Sequence, residues 1–525
     1  MKPQAAVIVL WLVHVAAGAW WLAADTRPPT YDAAGHALVT LRLADHVAAG
    51  ELRSAARLLL TRDYPPLLYV ASAPLAWAFG RSADVLTAVN VVFLAILLGA
   101  TYAMAREVSS PAAGLLAAAV VSAYPYVYGL SRQLLIDFPL TALVALALWL
   151  TLRASRTESL RASLALGVAL GLGLLAKTTF VQFAAAPTLI LAAAVIARRR
   201  PHLVRHGLAV VLPPLLLAGF WYWRNLAAQW RFIRFQTVAG AREGDPAVSW
   251  LHYLDAMGEV QMLLPFVLAF LFALGATLAS RRYRTDVRVW MVLAAAGVPY
   301  VLLSLQPNKD PRYSMPCLPA VAVITAWGLS EVRWRSARVA VLLCLGTWAV
   351  VQLAGLTFGL GAGIRAVRLG PLTMVAYTEQ AHTITPARRE DWRSAEIVRA
   401  LRDRPGTKTL LVLPDAPFFE PNVFAYQLRA ERIDGIEVER VTGAAGLEAE
   451  RTRLRTADFV VAKTGDQGPA WTASASTVLA REMEDPSAER RPAFRRVAEY
   501  PLPDGSTGLL YEAISHTTDL TPASR

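Results

Sequence analysis

Apolar runs of about 20 residues, the length that crosses the hydrocarbon of a bilayer, recur through the first two thirds of the chain and stop near Leu360. Short polar stretches separate them. The pattern predicts about eleven crossings, near 5–24, 83–105, 112–128, 138–152, 162–176, 180–197, 207–223, 260–278, 289–305, 314–329 and 339–356. After Leu360 short β-rich runs alternate with helical ones over 408–413, 422–431, 436–441, 457–463 and 509–514, the pattern of a small α/β domain with a frayed end at 517–525. The expected fold class is an α-helical polytopic membrane protein, residues 1–360, followed by an α/β domain, residues 361–525.

The stretch 25–82 between the first two spans has helical texture. Ala34, Ala37, Leu38, Leu41, Ala44 and Ala48 share one helical face, with Asp32, His36, Arg42 and His46 elsewhere and Asp45 at its edge, which predicts a helix lying in the membrane interface. A second apolar segment opens at Asp63-Tyr64-Pro65-Pro66 and runs to Phe79, broken by Pro74 and too short to span. It predicts a second surface helix, with a proline at its first turn.

Hydrophobic residues make up 55% of the 525 positions, and this places the chain in a bilayer. The net charge of +13 is no nucleic-acid footprint, because Lys and Arg are interleaved with the apolar runs. Arg106; Arg153, Arg156 and Arg161; Arg198, Arg199, Arg200 and Arg205; Arg281, Arg282, Arg284 and Arg288; and Arg333, Arg335 and Arg338 fall in alternate loops, which the positive-inside rule makes cytoplasmic. The stretch 25–82, the turns at Asp137, Lys177 and 306–312, the loop 224–259 and everything after the last span are then extracytoplasmic. The first apolar run carries Trp11, Trp20 and Trp21 and is long for a cleaved signal, so it is expected to stay as a span. Cys317 and Cys344 fall in different spans at different depths, which argues against a disulfide framework.

Several ionisable residues stand at span ends on the expected external side. Charge beside hydrocarbon costs a few kcal/mol, so such positions are candidates for transport or chemistry. Asp32 follows Thr30-Tyr31 at the start of the first surface helix, where Asp32 or Thr30 suits a helix cap, or Asp32 a general base at the bilayer edge. Asp137 precedes Phe138-Pro139 and has the same two readings; paired carboxylates serve acceptor binding, base catalysis or a divalent cation. Lys177-Thr178-Thr179 interrupts an apolar stretch, as a snorkelling turn or as a partner for a lipid phosphate. The turn 306–313 holds Lys309, Asp310, Arg312 and Tyr313, and its two prolines, Pro307 and Pro311, stiffen it. Its cations either stabilise a departing phosphate or pair internally with Asp310. Arg224 sits among Trp221, Tyr222, Trp223, Arg231, Phe232, Arg234 and Phe235, an aromatic belt with anchoring arginines or a groove for a polyprenyl phosphate. His36, His46 and His252 are surface histidines or, with Asp32 or Asp63, metal ligands. The region 361–525 contains no glycine-rich phosphate fingerprint, HExxH or GxSxG.

In order along the chain stand Tyr31-Asp32-Ala-Ala-Gly-His36, Tyr64-Pro65-Pro66-Leu-Leu-Tyr69, Arg132-Gln-Leu-Leu-Ile-Asp137-Phe-Pro139-Leu140, Gly171-Leu-Gly-Leu-Leu-Ala-Lys177, and Lys309-Asp-Pro-Arg312-Tyr313 with Pro316 and Pro319. Over residues 1–329 the chain resembles the multispanning C-class (GT-C) glycosyltransferases, specifically the protein O-mannosyltransferases and bacterial lipid A aminoarabinose transferases. The resemblance implies sugar transfer, with inversion, from a polyprenyl-phosphate carrier to a hydroxyl or amine of a protein, lipid or glycan, without a nucleotide sugar. The resemblance implies that transfer occurs at the external face; the topology makes the membrane the cytoplasmic one, and the Ala/Arg-rich composition without eukaryotic sorting signals is the basis for expecting a bacterial protein. Asp32 would be the base or acceptor-orienting acid and Asp137 the second acid. Lys177, Lys309 and Arg312, with Tyr313 and Arg224, would bind the donor phosphate, and His36, Asp63 and Tyr64 would serve the acceptor side or the loop. Ala33, where many relatives carry a second acid, and Tyr64, where His or Lys is common, depart from the family pattern and bear on acceptor class and metal use. A divalent cation is the one cofactor under consideration. The rival expectation is a transporter or flippase for a charged lipid or solute, which calls for mid-bilayer charges and internal repeats. A membrane scaffold whose tail binds a partner is a third.

Overall fold

The computed structural model of the chain describes residues 2–61, 63–198, 202–234, 250–360, 366–375, 384–402, 404, 406–443, 446–484 and 494–514. Arg199, Arg200, Phe235 and the expected frayed end 517–525 lie outside them. The chain forms two compact units, Met1–Asp25 with Leu43–Ala387, and Thr26–Arg42 with Arg388–Arg525.

In the first unit every expected apolar run is helical. Among the described residues eight helices are long and apolar enough to cross a membrane, nine if Pro111–Ala123 and Pro125–Ser131, bent by 67°, form one span. The bend has a local cause: Tyr124 precedes a proline and is pushed to an extended ψ of 122°. The remaining two, Leu160–Ala176 and Leu264–Ala279, are helices of 17 and 16 residues. The helix Leu160–Ala176 lies tightly against Leu203–Arg234, because a Cβ on Gly167 would come within 2.5 Å of the Ala209 carbonyl oxygen. A hairpin of β1 (Ala366–Leu369) and β2 (Leu372–Val375) also belongs to this unit.

Three expectations need correction. The stretch 25–82 holds three helices instead of two: α2 (Asp32–Ala48), α3 (Leu52–Leu60) and α4 (Leu67–Phe79), where α1 is the first span, Pro3–Ala24. Pro74 does not break α4 but sits inside it. Secondly, α2 buries more than the predicted face: Ala33, His36, Val39, Thr40 and Leu43 are buried along with the predicted Ala34, Ala37, Leu41 and Ala44. Thirdly, the expected loop from Arg224 is helical as far as Arg234, so that Leu203–Arg234 runs for 32 residues. No glycine or proline occurs between Arg224 and Arg234 to stop it.

The second unit is built on a five-stranded sheet of β3 (Lys408–Val412), β4 (Ile436–Arg440), β5 (Phe459–Lys463), β6 (Phe494–Pro501) and β7 (Thr507–Ala513), in the order β4-β3-β5-β7-β6. β3 runs parallel to β4 and β5, while β7 is antiparallel to β5 and β6. Side chains alternate across it. Leu410, Val412, Phe459 and Val461 pack on one face with Ile397, Phe424 and Leu428, and Leu411, Leu413, Val460 and Ala462 pack on the other with Leu454, Leu479 and Met483. The α/β expectation therefore describes this unit, with a different boundary. Residues through Ala387 group with the spans, and Thr26–Arg42 groups with the sheet because Thr30 and Tyr31 hydrogen-bond to the loop after β3.

Candidate active site

The membrane unit gathers the charged turns into one cluster. Lys177 ends the helix Leu160–Ala176 in extended conformation. The turn is tight because Gly173 leaves room for the ring of Phe180, which would stand 2.2 Å from a Cβ there. Lys177 Nζ donates to Asp137 Oδ1 at 2.7 Å, with side chains only 12% and 3% exposed. Asp137 opens the helix Asp137–Arg156, where a carboxylate also complements the positive end of the helix dipole.

The ammonium of Lys177 lies 5.1 Å from the ring centroid of Tyr313. In that second turn Asp310 accepts from the Arg312 backbone N–H at 2.8 Å, from Nε at 3.0 Å and from Nη2 at 2.9 Å. Burial pushes the Asp310 carboxyl up, but Arg312 and then Lys177 outweigh it and hold the group below the usual carboxylate range. The internally paired reading of this turn thus describes Arg312. Lys309 is not paired with Asp310; its Nζ donates to the Gln306 carbonyl at 2.8 Å, and desolvation pulls its pKa down. Burial, followed by the charge of Lys309, keeps His252 below its ordinary value, so the imidazole is neutral at pH 7, while Asp310 and Asp255 pull the other way. Three cations, Lys177, Lys309 and Arg312, thus stand among the carboxylates Asp137, Asp310 and Asp255: Lys177 pairs with Asp137 and Arg312 with Asp310, while Lys309 bonds a backbone carbonyl.

Two neutral residues brace the turns. Gln261 ends a π-helical turn, Met257–Gln261, close to Leu263 with its φ of 70°, and its Nε2 donates to Ser314 Oγ at 2.9 Å. Gln229 accepts from Thr178 Oγ1 at 2.7 Å and donates to the Asp63 carbonyl at 2.7 Å, tying the Lys177 turn to the end of the first loop. Tyr64 meets Phe232 edge-on, with centroids 5.8 Å apart. Neither glutamine was among the sequence candidates, since a lone amide in an apolar segment has no periodic signature. Arg224 is exposed on its helix, and among the described residues no polar contact joins it to the cluster. The side chain of Asp63 is exposed as well; its backbone carbonyl makes the contact.

Asp32 and His36 belong to the second unit. Asp32 is the half-buried first residue of α2, and His36, one turn on, is buried. The Thr30 hydroxyl, a candidate cap, instead accepts from the Phe418 backbone N–H at 3.0 Å. Among the described residues no three His, Cys, Asp or Glu side chains cluster as metal ligands.

The architecture is that of the C-class membrane glycosyltransferases, a multi-pass helical membrane unit with a small C-terminal mixed sheet. Residues 63–223 match the family described as dolichyl-phosphate-mannose-protein mannosyltransferase. ArnT from Cupriavidus metallidurans in the apo state is similar over 96% of this chain and 97% of its own, at 15% identity and a TM-score of 0.60. The same protein bound to undecaprenyl phosphate aligns over 66% of this chain and 64% of its own, at 18% identity and a TM-score of 0.50. The apo oligosaccharyltransferase of Archaeoglobus fulgidus aligns over 98% and 75%, at 11% identity and a TM-score of 0.55. No curated protein sequence matches the chain.

Proposed function

We propose that the protein transfers a sugar from a polyprenyl-phosphate carrier to an acceptor hydroxyl or amine at the extracytoplasmic face of the cytoplasmic membrane. The observation that carries this reading is the gathering of Lys177, Lys309 and Arg312 where apolar helices end, the level at which a lipid's phosphate lies, with Lys309 bound to a backbone carbonyl and not to a carboxylate. The shared fold and the undecaprenyl phosphate bound by ArnT support a lipid phosphate as the anion.

Asp32 takes or orients the acceptor proton as the acceptor attacks the anomeric carbon, and inversion at that carbon follows from a single displacement. The bond to the carrier phosphate breaks, and the charge that builds on the phosphate is met by cations fixed in advance, whose reorganisation cost is low. Asp137, committed to Lys177 at 2.7 Å, we read as the residue that aims this cation and not as a second base. Asp310 does the same for Arg312 through its fork of hydrogen bonds.

The test incubates the purified protein with undecaprenyl-phosphate-linked mannose, glucose, arabinose and aminoarabinose and a panel of peptide, lipid and glycan acceptors. Transfer by the parent, its loss in Asp32→Asn with retained undecaprenyl-phosphate binding, and weakened carrier binding in Lys309→Ala or Arg312→Ala are the expected results. Sugar transfer that survives both Asp32→Asn and Asp137→Asn removes the assignment.

A further inference from the structure

The residue before Asp32 is held at every polar group it carries. Tyr31 donates its backbone N–H to Glu420 Oε1 at 3.1 Å, its carbonyl accepts from Asn422 Nδ2 at 3.2 Å, and its hydroxyl donates to the Asp415 carbonyl at 3.1 Å. Thr30 is fixed by the Phe418 amide, and the Arg27 guanidinium lies 5.2 Å from the centre of the Phe418 ring. Under this grip Tyr31 has a φ of 49°, a left-handed backbone that a residue with a Cβ adopts only when its surroundings dictate it.

The grip is itself stiff. Glu420 is fully buried, and its carboxylate also accepts from the amides of Asn422 at 2.7 Å and Val423 at 3.1 Å, where it caps the helix Pro421–Ala430. The Asp415 amide donates to the Gln467 carbonyl at 2.7 Å. Gly468, with φ of 114°, approaches so closely that a Cβ would lie 2.3 Å from the Asp415 carbonyl oxygen. The two loops joined here leave the carboxyl ends of β3 and β5. From β3 the chain crosses outward to β4, and from β4 it returns to the other side of β3 to form β5, so the winding reverses between these strands. That reversal is where open α/β sheets bind their ligands. In this protein Tyr31 of the same chain bonds to the loop that leaves β3, and Asp466 of the loop after β5 acts on its hydroxyl.

We propose that the sheet unit is the positioning device for Asp32: the crevice between β3 and β5 takes Tyr31 as a built-in ligand, and Glu420 and Asn422 fix the Tyr31 peptide so that Asp32 leaves the first turn of α2 in one direction. Tyr31, Glu420 and Asn422 are positioning residues, and the inference rests on the reading of Asp32 as base or acceptor-orienting acid. Misplacement of a reacting group by about 1 Å is enough to cost on the order of 100-fold in rate.

The experiment uses the full-length protein in nanodiscs, with whichever undecaprenyl-phosphate sugar the parent turns over, and separates kcat from KM. Asn422→Ala and Tyr31→Phe remove one tether each, and Glu420→Gln keeps the shape but turns one acceptor oxygen into a donor. The expected result is a fall in kcat of about tenfold for Asn422→Ala, with donor KM within twofold of the parent. Amide exchange over residues 32–36 should rise while β3 and β5 stay protected, and adding the tether changes to Asp32→Asn should cost nothing further. Faster exchange over 32–36 with unchanged kcat overturns the proposal and leaves the Asp32 reading intact. Unchanged exchange, or a change confined to KM, also overturns it. Parent-like turnover by Asp32→Asn alone sinks the underlying reading, and that variant is scored separately.

Discussion

Asp137 of the membrane unit and Glu420 of the sheet unit are buried carboxylates stabilised by different means. In the membrane unit Asp137 has Lys177, Asp310 has Arg312, and Asp45, near the end of α2, takes Arg81 through two bonds of 2.6 and 2.9 Å. In the sheet unit Glu420 is instead surrounded by three backbone amides, and the nearest guanidinium, that of Arg440, stands 4.0 Å away. Beside hydrocarbon an uncompensated charge costs several kcal/mol, and only an opposite charge repays that. A domain with free backbone amides at a helix start can solvate an acid with them. The first arrangement answers to the loss of a partner, and the second answers to pH.

The largest effect that sharpens this contrast concerns Asp32, whose change to Asn should lower the rate of sugar transfer by about 10²–10⁴ without loss of undecaprenyl-phosphate binding, measured by steady-state kinetics and a binding titration. Next comes the membrane pair. Lys177→Ala leaves a carboxylate buried alone and is expected to cost about 3–5 kcal/mol, read as a lowered unfolding temperature in detergent. The double change Asp137→Leu with Lys177→Met should recover most of that stability and none of the transfer. A double variant as unstable as Lys177→Ala would refute the account of charge compensation.

The sheet unit should show the pH response. Burial pushes the Glu420 carboxyl up to about 7, with Asp415 adding to the rise and the Asn422 amide, Arg440 and the Tyr31 amide opposing it. Because the folded state holds this proton over a range where the unfolded state has released it, stability falls as pH rises from about 4.5 to 7, by on the order of 3 kcal/mol. Hydrogen exchange of the β3 and β5 amides in the full chain checks the slope, and Glu420→Gln should flatten it. The smallest effect is at Gln229: Gln229→Ala should cost about 1 kcal/mol and weaken carrier binding a few-fold, since it only loosens the Lys177 turn.

The spans were legible because apolar length and alternating arginine loops are properties of contiguous sequence. The sheet strands 408–412, 436–440 and 459–463 were legible for the same reason. So was the gathering of Asp137, Lys177, Arg312 and Tyr313 on one set of helix ends, which follows from counting crossings. The helix from Arg224 to Arg234 was misread as a loop although its composition argued for continuation, because aromatics beside arginines suggested an interface and an interface suggested a turn. Gln229, Gln261 and Glu420 had no signal to find, since what defines each is a partner distant in sequence. Tyr31 and Glu420 are separated by 389 positions, and no local pattern announces such a contact.

The seat of Tyr31 also sets an order of assembly. Residues 26–42 leave the ribosome long before the loop that holds them, since Thr30 meets its partner 388 positions later, after the intervening spans have been inserted. The segment must therefore wait exposed through most of synthesis, and docking it is one of the last events in maturation. A chain cut short before β3 would keep its spans and still never organise the beginning of its own first loop.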